Sequence, residues 1–242
     1  MPEALLEITA VTAGYVPDLP ILREVSLLAN HGKLTVIIGP NGAGKSTLIK
    51  AVAGLLNVDT GKIRFEGRDV TGLSPDLLTR NGIAYVPQTD NVFRTMTIQQ
   101  NLEVALSVQK DPLDRVEVLF DRFPVLKEKR REKAGSLSGG QRQFLAVAMA
   151  LAVEPRLILM DEPSAGLSPK ASEEVLDHVK GLTQQGVSVL LVEQNVKQAL
   201  KRGDHCYVLA EGRNQIDGPA EDLLEDPALG RIYLGGERRG AA

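Results

Sequence analysis

A run of small residues between two apolar segments constrains this chain more than any other feature. Leu34–Ile38 is a short apolar run that predicts a buried strand, and a helical pattern continues through Ala53. The residues at the junction are Gly39, Pro40, Asn41, Gly42, Ala43, Gly44, Lys45, Ser46 and Thr47. They fit the pattern G-x-x-x-x-G-K-[ST], which predicts a phosphate-binding loop when it follows a strand and opens a helix.

Each residue type in this loop has a chemical reason. Glycines let successive backbone N–H groups face phosphate oxygens without obstruction by a Cβ atom. The helix that follows directs the positive end of its dipole at the same anion. We expect Lys45 to neutralise charge on the β- and γ-phosphates of a nucleotide, and the Ser46 hydroxyl to ligate Mg²⁺.

A carboxylate pair, 116 residues after Lys45, completes the predicted metal site. The apolar strand Leu157–Met160 is followed by Asp161 and Glu162. Neighbouring residues at a strand end project differently, so Asp161 is expected to hold Mg²⁺ or its water while Glu162 faces an attacking water. Considered alone, the pair Asp161 and Glu162 is equally well explained as part of a turn. The phosphate loop upstream favours the metal site.

Composition excludes several classes of protein. The 242 residues are 43% hydrophobic, which is too apolar for a disordered chain. A net charge of −3 disfavours a strongly basic nucleic-acid-binding protein. The longest apolar run, Phe144–Val153, has about half of the roughly 20 residues that a membrane span needs. The segment Met1–Leu6 lacks a basic stretch and a long apolar core, so it does not predict a secretory signal.

The single cysteine, Cys206, excludes an intramolecular disulfide and favours a reducing compartment. Its neighbours His205 and Tyr207 allow the alternative of a reactive thiol. The surrounding run His205–Ala210 favours a buried position in a strand instead.

Strand and helix patterns alternate along the chain, which predicts an α/β fold. Half-exposed strands at Leu6–Val11 and Ile21–Leu28 predict an antiparallel N-terminal sheet beside a buried parallel one. Helical spacing covers Thr97–Val108 and Leu113–Phe123, and the charged run Lys127–Lys133 predicts a solvated face. We expect one domain, with a core and β subdomain at about 1–88 and 153–242 and a helical subdomain at about 89–152. The C-terminal tail around 235–240 is expected to be frayed.

A third motif, Leu137-Ser138-Gly139-Gly140-Gln141, directly precedes a strongly apolar helical run. Ser138 is expected to cap this helix, and the glycine pair exposes N–H groups at its N-terminus, which makes a second anion site. This is the signature sequence of ATP-binding cassette (ABC) ATPases. Together with the phosphate loop and the carboxylate pair, it makes the chain resemble that family from about Leu5 to Tyr233.

The resemblance implies a P-loop NTPase fold with a mostly parallel core sheet, an N-terminal antiparallel β subdomain and an α-helical subdomain. It also implies ATP and Mg²⁺ as ligands. Two such subunits would sandwich two ATP molecules, with each phosphate loop facing Ser138, Gly139, Gly140 and Gln141 of the other.

Further positions take their predicted roles from the same resemblance. Tyr15 matches the aromatic residue that stacks on adenine, although ordinary loop packing is the alternative. Gln88 matches the glutamine that senses Mg²⁺ and the attacking water, and the segment Asp90–Leu102 would face the membrane partner. Ser168 stands where many members have Asp, and Gln194 stands where the family usually has a histidine. Glutamine can donate a hydrogen bond to the γ-phosphate but cannot become cationic.

The amino-acid sequences of Glu162–Pro169 and Val192–Val196 resemble those of the ATPase subunits of high-affinity branched-chain amino acid importers. This resemblance implies a cytoplasmic protein, peripheral on the inner face of the cell membrane. Its partners would be transmembrane permease subunits, an identical or homologous second ATPase and, indirectly, a periplasmic or extracellular solute-binding protein; nucleic acid is not expected.

Three alternatives stay open at this stage. They are an importer ATPase for urea or short amides, a soluble ABC ATPase acting on DNA or the ribosome, and a nucleotide-binding regulatory module without turnover. The single phosphate loop and the short interval between Gln88 and Ser138 weigh against the soluble ATPase. The presence of Lys45, Asp161 and Glu162 weighs against the regulatory module.

Overall fold

The computed structural model describes residues 4–107 and 112–233. The strands are β1 (Leu6–Ala13), β2 (Leu22–Ala29), β3 (Leu34–Ile38), β4 (Thr60–Phe65), β5 (Arg68–Asp69), β6 (Ile83–Val86), β7 (Leu157–Asp161), β8 (Ser188–Val192), β9 (His205–Ala210) and β10 (Arg213–Pro219). The helices are α1 (Lys45–Val52), α2 (Pro75–Arg80), α3 (Ile98–Leu106), α4 (Pro112–Arg122), α5 (Pro124–Glu128), α6 (Gly139–Leu151), α7 (Pro169–Gln184), α8 (Val196–Leu200), α9 (Ala220–Leu224) and α10 (Pro227–Tyr233). Within the described ranges, every helix falls short of the length and apolar character that a membrane span needs.

The strands form two sheets, as the sequence predicted. The N-terminal sheet is antiparallel, in the order β2-β1-β4-β5. The larger sheet has the order β10-β9-β3-β8-β7-β6, in which β10 is an antiparallel edge strand and the other neighbours pair in parallel. All residues of β3, β7 and β8 are buried, because both faces of this sheet are covered.

Alternate residues of the central strands serve two different hydrophobic clusters. Ile158 and Met160 of β7 pack into a cluster that includes helices α3, α4, α6 and α7. Leu157 and Leu159 pack on the opposite face, against α1 and the antiparallel sheet. This alternation follows from the two-residue repeat of side chains along a strand. The carboxyl ends of β3, β7 and β8 therefore emerge together between two firmly packed layers.

Two helices begin with the same capping arrangement. The Thr97 side chain accepts from the Gln100 backbone, whose own side chain accepts from the Thr97 backbone, and α3 starts there. Ser138 and Gln141 repeat this capping box at the start of α6. The prediction that Ser138 caps the signature helix is confirmed. Each box satisfies two backbone donors that a helix N-terminus would otherwise leave free.

The β9–β10 hairpin is hydrogen-bonded to the phosphate loop. Glu211 and Gly212 both have positive φ, 50° and 75°, as a two-residue hairpin turn requires. The Gly212 N–H donates to the Ala43 carbonyl at 3.1 Å, and the Gly212 carbonyl accepts from Arg23 N at 2.8 Å. A Cβ atom on Gly212 would lie 1.8 Å from the Ile21 carbonyl oxygen, so only glycine fits here.

Several local predictions differ from the structure in extent. The sequence did not predict α2, α8 or α10, because five- to seven-residue helices show little periodicity. The run His205–Ala210, expected to be a strand, is β9 and pairs with β10. Val108, at the end of the helix expected from Thr97, and the tail at 235–240 lie outside the described residues. Cys206 is buried in β9, as the strand interpretation predicted.

Candidate functional site

The phosphate loop lies between the end of β3 and the start of α1 and forms one wall of a cleft of about 290 Å³. The cleft is lined by Ile21, Asn41, Gly42, Ala43, Gly44, Lys45, Ser46, Thr47 and Glu162. Gly42 and Gly44 have φ values of 78° and 98°, in the left-handed region that favours glycine. A Cβ atom on Gly44 would also lie 2.9 Å from the Leu22 side chain. The structure therefore brings the predicted loop and Glu162 to one cavity.

Lys45 is folded back into its own loop. Its side-chain Nζ donates to the carbonyl oxygens of Gly39 at 2.8 Å and Pro40 at 3.2 Å. Only 5% of the residue is exposed, and burial lowers the pKa of its ammonium group, against the opposing charges of Glu162 and Asp161. This arrangement holds a cation in the wall of the cleft, where an anion would meet it with little competition from water.

Ser46 and Asp161 meet across the cleft from different elements. Ser46 is in the first turn of α1, and Asp161 is the last residue of β7. The Ser46 hydroxyl donates to Asp161 Oδ1 at 3.0 Å. Burial raises the pKa of the Asp161 carboxyl, and the Ser46 hydrogen bond and the charges of Lys50 and Lys45 oppose that shift. A partly buried hydroxyl–carboxylate pair fits Mg²⁺, which proteins usually hold by one or two oxygen ligands together with substrate phosphates.

Glu162 points away from Asp161, as expected of neighbours at a strand end. Its Oε2 accepts from Gln88 Nε2 at 3.0 Å, so the segment after β6 meets the end of β7. The backbone of Glu162 has a φ of 46°, an uncommon value for a residue with a side chain, and its N–H is held by the Val192 carbonyl at 2.9 Å. Burial raises the pKa of this carboxyl as well, opposed by the charge of Lys45.

Gln194 reaches the phosphate loop from the end of β8. Its side-chain Nε2 donates to Asn41 Oδ1 at 2.9 Å. The residue at the expected histidine position thus presents a neutral amide donor to the loop that frames the cleft.

Tyr15 lies to one side of these residues and is 55% exposed. The Lys50 ammonium is 3.5 Å from its hydroxyl oxygen and 5.8 Å from the ring centroid. Lys50 is on α1, which starts at the phosphate loop, so the exposed ring is near the cleft but is not part of its lining. Its stacking on adenine stays a prediction.

The signature segment does not line this cleft. Gly139 packs so closely on the loop after β7 that a Cβ atom there would lie 2.6 Å from the Leu167 side chain. Gly140 faces Ala171 at the start of α7 at an ordinary contact distance. Ser168, the departure noted in the sequence, caps α7 by accepting from Ala171 N at 3.4 Å. Within one chain, the signature segment and the phosphate-loop cleft are therefore separate.

Sequence reasoning did not single out Glu193, Asn91 or Gln143. Glu193 directly follows β8, is 1% exposed and accepts hydrogen bonds from two loops of the site. Asn91 donates to the Pro87 carbonyl at 3.2 Å and to Gln143 Oε1 at 3.1 Å, which links the segment around Gln88 to α6. For Glu193 the available signal was a charged residue directly after a buried apolar run.

Comparisons with known proteins agree with this geometry. A family model described as ABC transporter matches residues 22–165. A probable branched-chain amino acid transport ATP-binding protein of Archaeoglobus fulgidus, LivF, is 41% identical over 234 residues, covering 96% of this chain and 99% of that protein. The high-affinity branched-chain amino acid transport ATP-binding protein BraG of Pseudomonas aeruginosa is 38% identical, with coverages of 92% and 96%. The lipopolysaccharide export system ATP-binding protein LptB of Haemophilus influenzae is 33% identical, with coverages of 89% and 91%.

Solved structures share the fold. A crystal structure of the ADP conformation of an ATP-binding cassette of an ABC transporter is 33% identical, with a TM-score of 0.86 over 96% of this chain and 99% of that chain. A dimeric structure of an ATP-binding cassette in a post-hydrolysis state, bound to ADP and Pi, is 25% identical, with a TM-score of 0.77 over 89% of this chain and 98% of that chain.

Proposed function

The chain belongs to the ABC transporter family, and from that premise we propose that it is the ATP-hydrolysing subunit of a branched-chain amino acid importer. Membership of the family makes ATP hydrolysis coupled to transport its activity. The observation that carries the catalytic proposal is the divergence of two adjacent carboxylates, Asp161 toward Ser46 and Glu162 toward Gln88. One carboxylate is thereby free for water while the other serves the nucleotide.

In this proposal Glu162 is the general base. It orients a water and takes its proton as the water oxygen attacks the γ-phosphorus, and the bond to the bridging oxygen of ADP breaks. Gln88, already bonded to the same carboxylate, positions the water. The raised pKa of Glu162 suits this task, because a base with a pKa closer to the working pH accepts a proton more readily.

The phosphates are held by Gly39–Thr47. Backbone N–H groups of the loop and the N-terminus of α1 bind the phosphate oxygens, and Lys45 balances the charge of the β- and γ-phosphates. Ser46 and Asp161, with Gln88 nearby, are the groups that would hold Mg²⁺. When bound, Mg²⁺ would neutralise charge on the phosphate oxygens. The Gln194 side-chain amide donates a hydrogen bond to the γ-phosphate. Tyr15 stacks on adenine.

We propose that the working unit is a dimer with an identical or homologous ATPase. The support is that the cleft has no contribution from Ser138–Gln141 of its own chain, so a partner's signature helix can supply the second anion site. A relative of known structure is a dimer bound to ADP and Pi. Each ATP would then be enclosed by two subunits, and hydrolysis would separate them.

We further propose that residues 89–152 form a helical subdomain that meets transmembrane permease subunits. Phe93, Met96 and Val104 are large apolar side chains exposed on this part of the chain. A cleft of about 230 Å³ in the same region has Asn91 and Ala105 in its lining. Exposed large apolar side chains favour a protein interface. The subunit would thus be peripheral on the cytoplasmic face of the membrane, and a solute-binding protein would act through the permease.

The proposed cargo is inferred from the relatives and not from the cleft, because the ATPase does not touch the solute. LivF and BraG, named for branched-chain amino acid transport, are 41% and 38% identical, against 33% for the export ATPase LptB. The higher identities favour amino acid import. Import of urea or a short amide is the alternative that the experiment has to separate.

The catalytic proposal is tested by Glu162→Gln in the complex purified with its membrane partners. We expect turnover to fall by about 10²–10⁴-fold while ATP binding persists. Glu128→Gln, which changes an exposed carboxylate on α5, is the matched control and should keep the parental rate. Full turnover in Glu162→Gln would overturn the assignment.

The cargo is tested with the same complex in proteoliposomes. ATP-dependent uptake of leucine supports the proposal. Uptake of urea or acetamide without uptake of leucine contradicts it, as does recovery of the chain with lipopolysaccharide export partners.

A further inference from the structure

Three charged side chains are buried in the part of the chain that the structure describes: Lys45, Asp161 and Glu193. The first two belong to the phosphate and metal site. Glu193, at 1% exposure, has no role in the function proposed above. A buried carboxylate is costly unless hydrogen bonds compensate for the lost water, so its partners are informative.

Those partners come from two separate loops. The loop after β7 donates twice, from Ser164 N to Oε1 at 3.0 Å and from the Ser164 hydroxyl to Oε2 at 2.8 Å. The loop after β8 donates from Gln194 N to Oε2 at 3.1 Å, with Asn195 N more distant at 3.5 Å. One carboxylate therefore joins segments that are 29 residues apart in sequence.

Each of these loops carries a part of the proposed active site. The first begins with Glu162 and continues to Leu167, which packs on Gly139 of the signature helix. The second carries Gln194, whose side chain contacts Asn41 of the phosphate loop. Glu193 lies between them, and its own N–H is fixed by the Ile37 carbonyl at 3.1 Å.

The outer side of the two loops is open. Ser164, Glu193 and Gln194 line an open cleft of about 300 Å³ on that side. The Ser172 hydroxyl, in the same lining, has no hydrogen-bond partner among the described residues. The two loops are joined where they begin by the backbone hydrogen bond from Glu162 N to the Val192 carbonyl, and further along by the hydrogen bonds to Glu193.

We propose that Glu193 is a positioning residue that locks the Ser164 loop to the Gln194 loop, so that the γ-phosphate-facing amide and the general base move as one unit. This inference rests on the proposed function of Glu162 and Gln194. Glu193 does not touch the nucleotide; it acts through the backbone of Gln194 and through Ser164. A shift of the signature helix against Leu167 is transmitted to Gln194 through this carboxylate.

A carboxylate suits this role better than an amide. Burial raises the pKa of Glu193, and the hydrogen bonds from Ser164, Asn195 and Gln194 oppose that shift by stabilising the ionised form. Its two oxygens accept from both loops at once, whereas in Glu193→Gln one oxygen becomes an NH₂ group that faces a donor. The exchange keeps the shape of the side chain and removes at least one of these hydrogen bonds. Ser164→Ala removes the hydroxyl bond alone and leaves the backbone bond in place.

The experiment measures kcat, KM for ATP and ATP affinity of the complex with its membrane partners. For Glu193→Gln we expect kcat to fall by about 10–100-fold, the cost of misplacing a catalytic group, with KM and ATP affinity unchanged. Ser164→Ala should also lower kcat, by a smaller factor than Glu193→Gln does. Ser172→Ala, a buried serine of the same cleft without a partner, is the matched control and should keep the parental kcat.

A double-mutant cycle separates positioning from a general loss of structure. If Glu193 acts through Gln194, Glu193→Gln should cost little in a Gln194→Ala background, whereas independent effects would multiply. Parental kcat in Glu193→Gln, multiplying effects, or equal losses of kcat and ATP affinity would each overturn the proposal. Loss of turnover in Glu162→Gln together with a parental rate in Glu193→Gln would refute only the positioning role. Retained turnover in Glu162→Gln would refute the proposed function itself.

Discussion

Gln194 donates a 2.9 Å hydrogen bond from its side-chain nitrogen to Asn41 Oδ1, which joins the end of β8 to the phosphate loop. The donor is a neutral amide, so this contact keeps its character across the pH range in which a histidine would change charge. In the proposed mechanism the same amide turns from Asn41 to the γ-phosphate.

Replacement of Gln194 tests whether this amide takes part in hydrolysis. Gln194→Ala should lower kcat by about 10²-fold, the usual cost of losing one donor to a transition state. Gln194→His should retain activity but add a pH dependence centred near the usual histidine pKa of about 6.5. The measurement is kcat against pH for the three complexes. Hydrolysis at the parental rate by Gln194→Ala would exclude this role.

The pH profile of the parental complex should report Glu162. A general base must be ionised, and burial raises the pKa of this carboxyl above the usual glutamate value. The rate should therefore fall at a higher pH on the acid side than an exposed glutamate would allow. The profile of Glu162→Gln, with its residual rate, should lack this acid limb. An identical limb in both would assign the titration to another group.

Asp161→Asn should stabilise the nucleotide-free protein while it weakens hydrolysis. Burial raises the pKa of Asp161, so the folded state binds a proton more tightly than the unfolded state. Stability due to this group is then lost as pH rises through the raised pKa, and the amide avoids that loss. We expect a higher Tm than the parent at neutral pH.

Thermal unfolding at several pH values checks this sign. The difference in Tm should vanish below the usual aspartate pKa of about 3.9, where both side chains are neutral. A variant less stable than the parent at neutral pH would contradict the prediction.

Asn91 and Gln143 should be energetically coupled. Gln143 is 7% exposed and its Oε1 accepts from Asn91 Nδ2 at 3.1 Å. Asn91→Ala leaves that buried oxygen without this donor, which should cost about 1–3 kcal/mol. Gln143→Leu in the Asn91→Ala background should cost less than it does alone. Urea unfolding of the two single variants and the double variant measures the free energies of the cycle. Asn57→Ala, at an exposed position, is the control. Additive losses of stability would argue against coupling.

Gly212→Ala should damage both stability and ATP binding. The new Cβ atom would lie 1.8 Å from the Ile21 carbonyl oxygen, so the hairpin has to move away from Ala43. Gly186→Ala is the matched control, since it also has positive φ (86°) but nothing within 4 Å. The control should lose only about 1–2 kcal/mol, and Gly212→Ala distinctly more, with weaker ATP affinity. Equal losses would show that the hairpin does not support the loop.

Much of the site could be predicted because its elements are local. The strand–loop–helix junction at Gly39–Thr47, the carboxylates Asp161 and Glu162 and the Ser138 cap depend on neighbouring residues, backbone conformation and side-chain period. The two-sheet fold could be predicted for the same reason, since half-buried strands alternate and buried ones are continuously apolar. The five- to seven-residue helices α2, α8 and α10 could not, because their conformation depends on tertiary packing.

The sequence by itself thus determined the phosphate loop, the carboxylate pair and the signature helix, because each is encoded within a few consecutive residues. The tertiary structure alone decided that Gln88 meets Glu162, that Gln194 meets Asn41 and that Glu193 joins two loops. These contacts join residues 29 to 153 positions apart. No local pattern encodes such pairs; they arise because parallel strands bring their carboxyl ends to one edge of the sheet.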